Sequence, residues 1–196
     1  IIPMHTPTLL TMLTLLIGIM SLGLFVAWRF NPWIPGFNKW VLAYVFAFLS
    51  SLALSLGSNW LTDLQLSFSS NFFITLMAFY VFVGAREYIG HVPLPRWLLP
   101  FILLVLTANV IFFTLFVYQP AYRVVTPSLI AGLFFILSAW TIAVGGGTSF
   151  PARYVFAVAT GFHGLFVIGR LWFVYAGNSL SLTPSNILGI PAIVLI

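Results

Sequence analysis

The hydrocarbon core of a bilayer is crossed by about 20 consecutive apolar residues, and this chain repeats runs of that length from end to end. Segments such as "WLLPFILLVLTANVIFFTLFVY" are apolar all round and do not alternate, which excludes a membrane β-barrel. A soluble fold would need a charged skin. Here seven Lys/Arg and two Asp/Glu make up 5% of 196 residues, against about 25% in a soluble domain. Apolar residues are 62% and aromatics 18%. The chain therefore reads as an all-α, polytopic transmembrane bundle, and a soluble enzyme or a disordered tail is excluded. The basic residues are isolated rather than clustered, so the net charge of +5 does not imply a nucleic-acid partner.

Turn chemistry divides the chain into single spans. Helices are predicted at 7–28, 39–60, 68–87, 97–119, 123–144 and 152–175, with a seventh starting near Pro184 and still apolar at Ile196. "NPWIPGFNK", "HVPLPRW", "QPAYR", "GGGTSFPAR" and "GNSLSLTPS" hold the Pro, Gly and Asn expected between them. Trp33, Trp40, Trp60, Trp97, Tyr118, Tyr122 and Tyr175 fall near helix ends, where aromatic belts form. The spans leave no room for an extramembrane domain, so residues 1–196 form one membrane domain. Because it opens on Ile and stops within an apolar run, the chain is read as part of a longer protein with its last helix truncated.

Charge sets the orientation. Arg29, Lys39, Arg86, Arg96 and Arg153 belong to the odd-numbered connections; Arg123 and Arg170 belong to the other side. The positive-inside rule then puts the odd connections and the end of helix seven in the cytoplasm, and the N-terminus outside.

A few polar residues within this apolar sequence are candidates for chemistry. Arg170 lies about 7 Å inside the outer end of helix six. An arginine at that depth either snorkels to headgroups or contacts an anion inside the bundle. Thr160, His163, Val167 and Arg170 share one helical face, which should point inward. His163 is then a packing histidine bonded to a hydroxyl or carbonyl, or a proton or ligand contact. Asp63, in the second connection, shares the outer side with Arg123 and Arg170, and pairing it with one arginine leaves the other for a carboxylate or phosphate. Asn71 is expected to open helix three, with Thr75 a turn below, as a cap, a cross-link or a pocket residue. Arg86, Glu87 and His91 read as a solvated helix end. Thr11, Thr14, Gly18 and Ser21 in helix one, and Ser51, Ser55 and Ser58 in helix two, form small-residue packing seams. There is no Cys, and His5, His91 and His163 are too dispersed for a local metal motif.

The stretch "LALSLGSNWLTDLQLSFSSNFFITLMAFYVFVGAREYIGHVPLP" resembles the membrane-sensing N-terminal region of bacterial diguanylate cyclases with a GGDEF output domain. The similarity is carried by Asp63, Asn71, Gly84, Arg86, Tyr88, Gly90 and Pro93. Arg123 with Ser128, and Arg170, extend it. It implies a sensor bundle in the bacterial inner membrane whose seventh helix leads to a cytoplasmic output domain after residue 196. That domain would use GTP and Mg²⁺ to make cyclic di-GMP, in a homodimer. The ligand-binding residues would be Arg170, Arg123, Asn71, His163 and Asp63, with membrane lipid as surroundings and a lipid-like or small anionic molecule as signal. The GGDEF segment itself is absent from these residues, which carry no catalytic group of their own.

Two other functions fit a polytopic bundle. A small transporter or channel would show inverted repeats and broken helices meeting near the midplane. Gly145–Gly147 and Gly161/Gly164 are the segments that resemble interruptions. A membrane-anchoring subunit would need neither.

Overall fold

The computed structural model describes residues 6–90, 94–116, 120–145 and 151–176, and these are entirely helical apart from short connections. Six helices follow one another: α1 (Thr6–Phe30), α2 (Phe37–Trp60), α3 (Asp63–Tyr88), α4 (Leu98–Ile111), α5 (Val125–Val144) and α6 (Pro151–Ala176). A π-helical turn, Phe112–Phe116, extends α4, and a 3-10 turn, Pro120–Val124, leads into α5. Each helix, α4 counted with its π turn, supplies a span of at least 18 residues apolar enough to cross a membrane. The chain is thus a multi-pass membrane protein. The seventh helix expected from Pro184, and His91 of the expected solvated helix end, lie outside the described residues.

Packing follows membrane rules. Large apolar side chains such as Ile19, Leu22, Leu104, Leu133 and Val158 face outward, while Thr75, Ser51 and Ser138 are completely enclosed. Lipid is as apolar as leucine, so helices associate through close packing and hydrogen bonds instead of hydrophobic burial. The small-residue seams predicted on helices one and two meet each other in part. Thr14 Oγ1 lies 2.7 Å from Ser51 Oγ, and Ser21 Oγ donates to the Tyr44 carbonyl at 2.8 Å. A Cβ on Gly18 would sit 3.0 Å from the Phe48 ring, so the absent side chain lets these helices meet. The next seam, between α2 and α3, includes a bond from Ser50 Oγ to the Ser70 carbonyl at 3.1 Å.

α3 is the central helix. It packs against α2 on one side and α5 on the other, and α5 packs against α6. Its core with α5 is aromatic: Phe79 meets Phe134 edge-on at 5.6 Å, and Phe82 meets the same ring at 5.5 Å. α5 and α6 approach until Gly132 and Gly164 face each other's backbones, and a Cβ on Gly164 would lie 2.9 Å from the Gly132 carbonyl oxygen. Gly161, too, faces α5, with a Cβ there 3.3 Å from that of Ala139. These two glycines are contact residues in a helix that runs unbroken from Pro151 to Ala176, not interruptions of it.

Five of the cations gather at one end. Gly36 has φ 75°, and a Cβ there would collide with the Gly84 carbonyl, so the turn between α1 and α2 lies directly on the end of α3. Trp40 fills the same joint. Its ring lies 5.5 Å from both Tyr88 and Phe156, and its Nε1 donates to the Val81 carbonyl at 3.3 Å. It is an internal strut, not the belt residue expected. Arg153, in the first turn of α6, donates to the carbonyls of Gly145 at 3.1 Å and Ala143 at 2.9 Å, closing the C-terminus of α5. Arg29, Lys39, Arg86 and Arg96 stand at the helix termini around this joint, which is called the basic end below.

Candidate functional site

Helix three starts earlier than expected, and this moves two candidate residues. Thr62 caps it: its Oγ1 accepts from the Gln65 amide at 3.3 Å, and the Gln65 side chain accepts from the Thr62 amide at 3.0 Å. This reciprocal pair satisfies two amides that would otherwise be orphaned and fixes the start at Asp63. Asp63 is therefore the first helical residue rather than a loop residue. Its side chain, and with it the expected Asp–Arg pair, lies outside the described residues. Asn71 does not open the helix. It sits two turns inside, is 6% exposed, and donates from Nδ2 to the Ser67 carbonyl at 2.7 Å. Thr75, one turn on, is fully buried and donates to the Asn71 carbonyl at 2.8 Å.

The packing register brings several candidates to one level. Phe79 of α3 lies against Phe134 of α5, and these helices run parallel, so Asn71 is level with Thr126. Gly132 opposes Gly164 in the antiparallel α5–α6 pair, so Arg170 is level with Thr126 as well. Asn109 joins from α4, donating from Nδ2 to Thr126 Oγ1 at 2.8 Å. Arg123 stands one turn above, in the 3-10 turn that touches α3, α5 and α6. Its neighbour Tyr122 stacks on Phe113 at 5.8 Å, which ties that turn to the π-helical extension of α4. His163 lies about 10 Å deeper along α6, at 1.5 Å per residue. Arg170, Arg123 and Asn71 are thus gathered near one end of the bundle, and His163 forms a separate point nearer its middle.

The inward face predicted for helix six is present: Val167 is 2% exposed, and Thr160, His163 and Arg170 are half-buried beside it. The Nε2 of His163 is buried with no hydrogen-bond partner among the described residues, and its ring meets Phe135 edge-on at 4.6 Å.

Three further polar atoms are buried without partners among the described residues at or beside the Arg170 level: Arg123 Nε, Asn109 Oδ1 and Ser128 Oγ. An unmatched buried polar atom costs about 1–3 kcal/mol, and most native groups avoid it. Three of them around one level form a set of donors and acceptors unmatched by the described residues. Two arginines at this end bias the set toward anions, because a guanidinium matches carboxylate and phosphate with paired hydrogen bonds. Glu87, the one acid whose side chain is described, is at the opposite end.

Asn109 was overlooked in the sequence. Its signal was plain: the one amide inside the apolar run from Leu98 to Phe116. No group of His, Asp or Glu side chains able to hold a metal occurs among the described residues. No family model, curated protein or solved structure matches this chain.

Proposed function

We propose that this chain is the membrane-embedded sensor of a bacterial signalling protein, and that it regulates a cytoplasmic diguanylate cyclase unit. In this reading the N-terminus is outside, a seventh helix enters the cytoplasm, and the bundle lies in the inner membrane as a homodimer. The signal is a small or lipid-like anion that reaches Arg170 and Arg123 from the outer leaflet, with Asn71 and Asn109 at the level of Arg170 and a turn beneath Arg123. The observation that carries the proposal is the set of buried, unpartnered atoms at that level: Arg123 Nε, Asn109 Oδ1 and Ser128 Oγ. The unbroken course of α6 through Gly161 and Gly164 supports a sensor over a transporter, whose broken helices would meet near the midplane.

A ligand shifts a two-state equilibrium only by its difference in affinity for the two states. Bonds to the unmatched groups, available in one arrangement of α4, α5 and α6 and not in the other, would supply that difference. The test is cyclic di-GMP measured in cells carrying the full-length protein with Arg123→Ala, Arg170→Ala, or neither. Each substitution should remove the response to the signal while basal synthesis continues. Unchanged responses in both variants, or a gene without a GGDEF segment, overturn the proposal.

A further inference from the structure

Three of the cations at the basic end border a cleft that the outer-end site does not explain. It lies between the first turn of α2, the last turns of α3 and the start of α4, and encloses about 270 Å³. Lys39, Arg86 and Arg96 line it, with Glu87 as the single acid, so its formal charge is +2. The Gly36–Gly84 contact fixes Lys39 beside α3, because Gly36 caps α2 and its carbonyl accepts from the Lys39 amide at 3.1 Å. The N-terminus of α4 also borders the cleft, and Trp97 at its cap position provides no side-chain acceptor. The Leu98 amide is taken by the Pro95 carbonyl at 3.1 Å and Pro100 has no N–H, so the cleft's positive charge comes from its side chains.

The remaining wall is apolar. Tyr80, Val83 and Leu99 continue from the cations toward the bilayer interior. A soluble phosphate would use the cations and leave this wall idle. A phospholipid would use both. Pockets that engulf a whole drug-sized ligand begin near 300 Å³, so this volume suits a headgroup and the first carbons of its chains.

We infer that this cleft holds the headgroup of an anionic phospholipid, with Lys39, Arg86 and Arg96 around the phosphate and an acyl chain along Tyr80, Val83 and Leu99. The inference does not depend on the proposed sensor function. Basic pockets between transmembrane helices are suited to such headgroups, and each cation near an anionic membrane surface contributes about 1 kcal/mol, or roughly fivefold in affinity. Arg86 also stands 5.8 Å from the centre of the Phe82 ring, so its removal would disturb packing, and the informative changes are Lys39 and Arg96.

The test is native mass spectrometry of the full chain in detergent, titrated with phosphatidylglycerol and, separately, phosphatidylcholine. Phosphatidylglycerol should bind first and at least tenfold more tightly. Lys39→Gln with Arg96→Gln should weaken it by about 25-fold, two steps of roughly fivefold. Glu87→Gln should strengthen it severalfold, which keeps the inference falsifiable if the double variant does not fold. Arg29→Gln, at the same end but outside the cleft, should change nothing. Equal binding of the two lipids, or equal losses from Arg29→Gln and the double variant, overturns the inference. Displacement of phosphatidylglycerol by an equal concentration of inorganic phosphate would assign the cleft to free phosphate and overturn it too.

Discussion

Replacing Gly36 by Ala tests the joint on which the basic end depends, and the chain supplies its own controls. Gly36 and Gly90 have nearly the same backbone, φ 75° and φ 74°, but different surroundings. A Cβ at Gly90 meets nothing within 4 Å, whereas one at Gly36 runs into the Gly84 carbonyl. The left-handed backbone alone costs Ala about 1–2 kcal/mol. Overpacking a tight contact adds about 1–3 kcal/mol. Gly90→Ala should therefore lose about 1–2 kcal/mol, and Gly36→Ala about 2–5 kcal/mol, the sum of the two costs. Gly23 and Gly169 are helical, exposed and also open around the added carbon. Ala there should be neutral or stabilising by up to about 1 kcal/mol. Unfolding of the full chain in mixed micelles by increasing SDS, followed by far-ultraviolet circular dichroism, ranks the four variants. Equal losses for Gly36→Ala and Gly90→Ala would refute the close approach of the α1–α2 turn to α3. A loss at Gly23 matching that at Gly36 would refute the reasoning altogether.

The same unfolding assay checks two other contacts. Arg153→Gln forfeits charged hydrogen bonds to the last carbonyls of α5 and should cost about 1–3 kcal/mol, with Arg153→Lys in between; a neutral Arg153→Gln would remove the capping role. Thr14→Val and Ser51→Ala should be coupled through their 2.7 Å contact by about 0.6 kcal/mol, the average for hydrogen bonds between membrane helices. A double-mutant cycle that sums to zero would leave the α1–α2 seam to packing alone.

Most of the architecture was legible because lipid imposes a length on each span and forbids unpaired backbone within it. The apolar runs therefore marked all six described helices, and the Thr and Ser spacings marked a packing seam on helix one and on helix two, though not that the two would meet. The start of α3 was missed although "TDLQ" is a capping-box pattern, since the polar run to Asn71 reads as a loop when apolar length is the guide. Trp40 has the position of a belt residue, and local sequence does not distinguish a tryptophan facing headgroups from one wedged between helices. Gly36 and Gly84 meet across 48 residues (84 − 36), a tertiary contact with no local signature. At the site, Arg170, Arg123 and Asn71 were visible as polar residues in apolar surroundings. Which of them share a level was not, because that depends on the offset between helices, set here by Phe79 against Phe134 and Gly132 against Gly164.

The two ends of the bundle are joined differently, and this bears on how a sensor of this form would move. At the basic end the Arg153 guanidinium closes α5, Trp40 bridges α2, α3 and α6, and two glycines lock a turn onto α3. At the other end Asn109, Arg123 and Ser128 each keep a buried polar atom unmatched among the described residues, as Arg86 and Arg153 do through Nε at the basic end, and a 3-10 turn leads into α5. Local stability is lowest where satisfied bonds are fewest, and ligand-responsive elements come from such regions. A ligand bound there gains most by reorienting the 3-10 turn and the first turns of α5. The α5–α6 seam would pass that motion on. With no side chain between Gly132 and the Gly164 backbone to absorb a displacement, α6 must shift with α5 or lose contact. In a sensor of this form, a pair of helices joined through glycine would convert an adjustment at Arg123 into a movement of α6 as a body, delivered toward the basic end where Arg153 holds the two helices together.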